Sequence, residues 1–278
     1  MNLLRECTIK TYILPYLSRG KRGKTMSDES YVPVIQAILH RLKTGCQWRQ
    51  LPIREFFGNR PYTWEAVYYH FQQWSKHDCW RNVWVALLRA HKGLLDLSQA
   101  ELDGTLTRAH RGGEAVGFQG RRQDQCTNLL AISDSKGTII AISEPISGEH
   151  HDLFDIKTSF GQLLEMLTAA DIAIDGLFLN ADSGFDAATL RDECEKVGII
   201  PNFALNPRNG NLAERDDYFD PELYKGRYVI EHGFGWMDAF KALLIRYEVL
   251  AKHWRDFNLL GMTVLFIRKI IKNKKKKS

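Results

Sequence analysis

Three carboxylates, Asp103, Asp182 and Glu231, stand in contexts that would suit phosphoryl transfer. Asp103 ends a short apolar rise in Ala100-Glu101-Leu102-Asp103-Gly104. Asp182 follows Leu177-Phe178-Leu179-Asn180-Ala181 and precedes Ser183-Gly184-Phe185. Glu231 lies in a helical pattern that begins near Arg227. Carboxylates on two strand ends and one helix can converge on divalent cations. Two such cations about 3.5–4 Å apart clamp both oxygens of an in-line displacement at phosphorus. The intervals of 79 and 49 residues mean that only tertiary folding can unite the three.

Each residue also has a plainer reading. Tyr224, Arg227 and Glu231 fall at i, i+3 and i+7, one face of a helix. Glu231 would hold a metal ion there, with Arg227 and Tyr224 holding a nearby phosphate. The plain alternative is an Arg–Glu surface pair worth about 0.3–0.5 kcal/mol. Gly233 and Gly235 weigh against it, because each costs a helix interior about 1 kcal/mol relative to alanine. A strand or a DNA backbone packed closely on the helix would require them. Asp103-Gly104 and Asp182-Ser183-Gly184 also fit turn aspartates, although Arg108, His110 and Arg111 would suit a phosphate path beside a metal. His150-His151-Asp152 reads as a metal site or as the entry to the next helix. Adjacent histidines point in different directions, which favours the entry. Gly23-Lys24-Thr25 ends like a phosphate-binding loop but lacks its first glycine and a preceding strand.

The elements that must position these residues fall into two groups. Residues 1–30 read as irregular, with a basic, flexible segment over 18–24. Val34, Ile35, Ile38, Leu39 and Leu42 then mark one helix face from Tyr31, which Gly45 stops. Thr63 caps a helix carrying Trp64, Val67, Tyr68, Phe71 and Trp74, and a third helix carries Trp80, Val83, Trp84, Leu87 and Leu88. The aromatic period is that of a buried helix face. Short helices with basic joints fit a helix-turn-helix module, with Lys43, Arg49, Arg54 and Arg60 as phosphate contacts. From Leu97 strands dominate. Gln99–Leu102 leads to Asp103, and 127–133 and 138–143 form a hairpin about Asp134-Ser135-Lys136-Gly137. A helix over 153–167, a strand over 177–180, a helix over 187–197 and a strand over 199–204 follow. After a polar link over 206–220 come helices over 228–250 and 254–271. This order, β-β-β-α-β-α-β-α, is that of a ribonuclease-H-like α/β domain, a mixed sheet flanked by helices. That fold expects carboxylates on the first strand, at the end of the fourth and on a later helix. The segments expected are 1–95 for a helical DNA-binding domain, 96–270 for the catalytic domain and 271–278 for a basic tail.

Composition narrows the function classes. The chain has 278 residues, 44% apolar and 26% charged, the profile of an ordinary globular protein. No apolar run approaches the roughly 18–20 residues of a membrane span, and the first residues lack the apolar stretch of a secretory signal. Five scattered cysteines without a C-x-x-C pair point to free thiols in a reducing cytoplasm. The net charge of +5 is unevenly spread, with +7 in residues 1–60, +7 in 268–278 and −9 between. Basic ends about an acidic centre suit a protein that grips a polyanion and performs metal chemistry on it.

The segment from Leu42-Lys43-Thr44-Gly45-Cys46-Gln47-Trp48-Arg49-Gln50-Leu51-Pro52 through the Tyr68–Trp74 helix resembles the N-terminal domain of bacterial insertion-sequence transposases of the insertion-sequence-5 group. The likeness continues in order through Leu102-Asp103-Gly104, Ser147-Gly148-Glu149-His150-His151-Asp152, Asn180-Ala181-Asp182-Ser183-Gly184-Phe185-Asp186 and Arg227-Tyr228-Val229-Ile230-Glu231. It covers about residues 6–270. The resemblance implies a DDE transposase with Asp103, Asp182 and Glu231 as catalytic ligands for Mg2+, for which Mn2+ would substitute. It also implies the Tyr-x-x-Arg-x-x-x-Glu signature at Tyr224, Arg227 and Glu231. Related enzymes carry a lysine seven positions after the glutamate. That place is Asp238 here, and Lys241 is the available replacement. The partners implied are double-stranded DNA, as terminal inverted repeats and target, and a second copy of the chain on the DNA ends. The location implied is the bacterial cytoplasm. The alternatives are a ribonuclease-H-like nuclease without strand transfer and a catalytically idle DNA-binding repressor.

Overall fold

The computed structural model describes residues 3–19, 27–210 and 215–277. Residues 20–24 of the basic segment, and the Gly23-Lys24-Thr25 tripeptide, lie outside the described residues. The chain divides into two compact units, Met1–Leu87 with Met237–Ser278, and Leu88–Trp236. The unit boundaries therefore differ from the expected segments, since residues 237–270 are grouped with the N-terminal helices.

In chain order come α1 (Glu6–Tyr12), α2 (Asp28–Thr44), α3 (Ile53–Phe57), α4 (Trp64–Lys76) and α5 (Cys79–His91). Next are β1 (Ala100–Ala109), β2 (Gly117–Gln119), β3 (Asp124–Asp134), β4 (Ile139–Ile142), β5 (Ile146–Ser147) and α6 (Ile156–Ala169). Then follow β6 (Phe178–Ala181), α7 (Ala188–Glu195), β7 (Ile200–Phe203), α8 (Pro221–Tyr224), α9 (Val229–Met237), α10 (Lys241–Leu244) and α11 (Ala251–Lys277).

The helical unit is built as its periodicity predicts. Gly45 ends α2 in the left-handed region (φ +67°), where its N–H reaches the Arg41 carbonyl at 2.8 Å. Thr63 Oγ1 caps α4 by accepting from the Ala66 N–H at 3.3 Å. Val67, Phe71 and Trp74 of α4 and Trp80, Val83 and Trp84 of α5 are buried, so the aromatic stripe is core. α11 closes on it, with Phe257 stacked on Phe71 at 4.7 Å and Trp84 edge-on to Phe266 at 5.6 Å. Arg41 lies over the Trp48 and Phe257 rings and pairs with Glu248.

Three expectations need correction here. Residues 6–12 form α1, which seats Ile9 in the core. The single helix expected over 228–250 is broken, with α9 ending at Met237 and α10 covering only Lys241–Leu244. The buried Arg246 guanidinium explains the last break, because Nε donates to the Glu248 carbonyl at 2.8 Å and Nη2 to the Val249 carbonyl at 3.2 Å, satisfying a loop in place of helical N–H groups. The basic tail over 271–277 is the end of α11.

In the other unit the strands run in the order β2-β3-β1-β6-β7, with β4 and β5 also on β3. β1–β3 and β3–β4 are antiparallel, whereas β1–β6 and β6–β7 are parallel. The path β4-β3-β1-β6-β7 is the ribonuclease-H-like sheet expected from the element order. The short β2 and β5, both paired with β3, are additions that the sequence pattern did not reveal. Apolar side chains of α6 (Phe160, Leu163, Met166, Leu167) and of the strands supply the core of this unit.

Candidate active site

β1 is longer than its apolar rise suggests, and Asp103 lies within it rather than at its end. The reason is the partner strand: the β1–β3 register continues from Ala100↔Asp134 to Arg108↔Cys126. Asp103-Gly104 is therefore strand, not turn. Asp182 does stand at a strand end, directly after β6, where its Oδ1 accepts from the Gly184 N–H at 2.8 Å and caps a short turn. The parallel register pairs Glu101 with Asn180. Two residues further along each strand are Asp103 and Asp182, so the two carboxylates leave neighbouring strands at the same height.

Arg227 and Glu231 approach from the chain after β7. The helix expected to carry Tyr224, Arg227 and Glu231 on one face is interrupted, since α8 ends at Tyr224 and α9 starts at Val229. The turn keeps the first two together: Arg227 donates its N–H to the Tyr224 carbonyl at 3.0 Å, and its guanidinium lies 5.8 Å from the Tyr224 ring centroid. Arg227 Nη1 is 3.6 Å from Asp103 Oδ2.

Glu231 is exposed on α9, and the glycines explain how that helix is seated. A Cβ at Gly233 would collide with the Gly137 carbonyl oxygen of the β3–β4 turn and come 2.8 Å from Ile139. Gly137 itself has φ +76°, and a Cβ there would collide with the Val229 carbonyl. Close packing on a strand turn thus accounts for Gly233, while Gly235 has open space around it. Opposite outcomes are expected for two matched substitutions. Gly235→Ala should raise stability by up to about 1 kcal/mol through helix propensity. Gly233→Ala should lower it by about 1–3 kcal/mol, because overpacking outweighs that gain. Urea unfolding of both variants measures the difference, and equal effects would contradict the docking.

Burial dominates the electrostatics of β1. Burial, with the charges of Asp182 and Glu231, pushes the Asp103 carboxyl up to about 7, against the opposing Gly104 N–H and Arg227. Burial likewise lifts Glu101 to about 7 despite its hydrogen bond from Asn180. Among the described residues no three His, Cys, Asp or Glu side chains lie close enough to hold a metal ion together. Asp103 and Asp182 are hard-oxygen carboxylates, the donor type that Mg2+ and Mn2+ take, and Arg227 is the cation beside Asp103.

Arg108 pairs with Asp124 at 2.6 Å and lies five residues along β1 from Asp103, about 17 Å at strand rise. Arg111 is exposed past the end of that strand, so neither is brought to Asp103. Lys43 donates to the Ala239 carbonyl at 2.8 Å, while Arg49, Arg54 and Arg60 are exposed on the helical unit. Lys241 is exposed on α10, in that same unit. His150 stacks on Phe154 at 3.5 Å, and His151 Nδ1 accepts from the Leu153 N–H at 3.2 Å, as a helix entry would have it. Asp152 accepts from Asn128 Nδ2 at 2.6 Å and fills the space that a side chain at Gly104 would need.

Two groups beside the carboxylates escaped the sequence reading. One is Asp186, held by Arg191 and Arg215. The other is the buried row Glu101, Asn180 and Asn202, whose signal was a polar residue inside each apolar strand.

Residues 102–263 match the family model described as "DDE superfamily endonuclease". Residues 9–84 match the model described as "Putative transposase of IS4/5 family". No curated protein matches the chain. Among solved structures, the piggyBac transposase synaptic complex with hairpin DNA is 10% identical at TM-score 0.44, covering 96% of this chain and 71% of that one. The pre-cleavage Mos1 transpososome is 12% identical at TM-score 0.27, covering 90% and 81%. The Mos1 mariner paired-end complex with Mn is 14% identical at TM-score 0.28, covering 89% and 79%. These are loose likenesses. With more than half of its length matched by the one family model, and its N-terminal residues by the IS4/5 transposase model, the chain belongs to the DDE superfamily endonucleases.

Proposed function

We propose that the protein cuts DNA at the terminal inverted repeats of an insertion sequence and joins the freed ends to target DNA. The observation that carries this reading is the pair Asp103 and Asp182 at equal height on neighbouring parallel strands, with Arg227 beside Asp103. Asp103, Asp182 and Glu231 would hold Mg2+, which when bound supplies neutralisation of phosphate charge and activation of the attacking oxygen. Arg227, steadied on the Tyr224 ring, offers planar N–H donors to a phosphate oxygen of the strand being cut. Water attacks that phosphorus, the P–O3′ bond breaks, and the products are a 5′-phosphate and a 3′-hydroxyl whose oxygen takes up the proton that the water gives up. The 3′-hydroxyl, losing its proton, then attacks a target phosphodiester in line and displaces the target's own 3′-oxygen, which leaves as a hydroxyl.

The exposed Arg49, Arg54 and Arg60, with Lys43, would contact the phosphate backbone of the repeats, and Lys241 the DNA end. Such contacts supply most of the affinity and its salt dependence. Arg108 and Arg111, away from Asp103, would contact a more distant stretch of the duplex. Two copies of the chain would hold the two ends.

The test uses linear DNA containing this gene with its native flanks, incubated with Mg2+ and either wild-type protein or Glu231→Gln. Cuts at a matched pair of inverted ends, absent from the variant reaction, are expected. Joined product in a target plasmid separates transposition from simple nuclease action. Folded wild-type protein that binds the ends and never cuts would overturn the enzymatic reading in favour of a DNA-binding repressor.

A further inference from the structure

Beneath the two aspartates runs a row of polar side chains that a sheet interior does not need. Glu101, Asn180 and Asn202 sit in β1, β6 and β7, each fully buried. They are also in register, Glu101 beside Asn180 and Asn180 beside Asn202. Asn180 Nδ2 donates to Glu101 Oε1 at 3.2 Å, and Asn202 Nδ2 donates to Asn180 Oδ1 at 2.6 Å. The row continues out of the sheet. Asn202 Nδ2 also donates to the Asp220 carbonyl at 3.0 Å, and its Oδ1 accepts from the Asp220 N–H at 2.6 Å. Asp220 Oδ1 in turn caps α8, accepting from the Glu222 and Leu223 N–H groups at 2.8 and 3.2 Å. One chain of hydrogen bonds thus links the strand of Asp103, the strand of Asp182 and the short helix that ends at Tyr224.

Burying these groups is unfavourable compared with apolar residues of similar volume. What the row adds is register. A slip of one residue between strands turns every side chain to the other face, so the apolar pattern already forbids it. A slip of two residues keeps the faces correct and is opposed only weakly by that pattern. It would carry Asp182 about 6.6 Å along Asp103 at the rise of a strand. It would also leave Glu101, Asn180 and Asn202 buried without partners, which is far more unfavourable than burying apolar groups there.

We propose that Glu101, Asn180 and Asn202 are positioning residues whose hydrogen-bonded row locks the β1–β6–β7 register and so sets the spacing of Asp103 and Asp182 for a divalent cation. The proposal rests on the reading of those two aspartates as cation ligands.

The test pairs Mn2+ titration by calorimetry with urea unfolding of the full chain. The triple substitution Glu101→Leu, Asn180→Leu and Asn202→Leu should unfold at the wild-type urea concentration or above. Its Mn2+ affinity should fall about 10–100-fold, the usual loss when groups supporting metal ligands are removed. Glu101→Gln keeps the acceptor for Asn180 and should bind Mn2+ within about threefold of wild type, by the conserved hydrogen bond. Wild-type affinity in a stable triple variant would overturn the proposal. If the triple variant does not fold, Asn202→Ser, which cannot bridge Asn180 and Asp220, decides the matter: weaker Mn2+ binding supports the row and unchanged binding overturns it. Asp182→Asn separates the two levels, because Mn2+ binding at wild-type strength there would refute the cation-ligand reading itself.

Discussion

Asp182→Asn is expected to abolish DNA cleavage while leaving the binding of inverted-repeat DNA within about threefold of wild type, since phosphate contacts elsewhere dominate affinity. Removing a single preorganised charge-stabilising group from an active site costs about 10²–10³ in rate, equivalent to about 2.7–4 kcal/mol. A ligand to a divalent cation should reach at least the upper end of that range. Asparagine keeps the shape of the side chain, and its Oδ1 can still accept from the Gly184 N–H, so the turn after β6 stays capped. The loss would then report lost charge rather than a displaced loop. Gel-shift affinity and single-turnover cleavage on the same DNA make the comparison. Parallel loss of both activities would reject the assigned role, because it would mean that Asp182 supports the fold or the DNA surface generally.

How legible this site was in the sequence depended on the range of the interactions involved. The hairpin about Asp134–Gly137, the strand before Asp182 and the helix that Gly45 ends are local patterns, and they stand where the residues suggest. The interrupted path from Tyr224 to Glu231 was not legible, because spacing of i, i+3 and i+7 is satisfied by a helix and equally by a turn between two helices. Gly233 was flagged by its helix cost, yet only the β3–β4 turn lying against it shows what the glycine is for. β1 ran past Asp103 because its long pairing with β3 overrides the turn preference of Asp-Gly. The row from Glu101 to Asn202 depends on inter-strand register, which a single sequence does not carry. The same holds for the helical unit, where α11 closes on α4 from the far end of the chain.

Asp186 is the second place where one substitution should have a large effect, this time on stability. The Asp186 side chain is fully buried and lies four residues after Asp182. Oδ1 accepts from Arg191 Nε and Nη2 at 3.1 and 2.9 Å and from Arg215 Nη2 at 2.8 Å. Oδ2 accepts from Arg215 Nη1 at 2.6 Å and from the Asn206 N–H at 2.7 Å. Burial alone would raise this carboxyl. The bonds from Arg215, the Asn206 N–H and Arg191 outweigh burial and hold it far below the usual carboxylate range. Among the described residues, Asp186→Ala leaves the two arginines with Asp217 as their remaining carboxylate, at 3.4 Å from Arg191 and 2.7 Å from Arg215. Breaking a buried pair in this way costs about 3–5 kcal/mol, far more than a surface pair. Because the folded-state pKa is depressed, the stabilisation is fully present above the unfolded value of about 3.9 and is lost as pH falls from there through the folded value. Wild type should therefore lose stability steeply below about pH 4, and Asp186→Ala should lack that part of the slope. Urea midpoints across pH 2–7 give both quantities. A loss below about 1 kcal/mol at pH 7, the range of an exposed pair, would show that the clamp contributes no more than a surface contact. The clamp also fastens Asn206 and Arg215 to the stretch that follows Asp182, with Asn206 Nδ2 donating to the Ser183 carbonyl at 3.1 Å. Cleavage should accordingly fall in the variant even at temperatures where it remains folded.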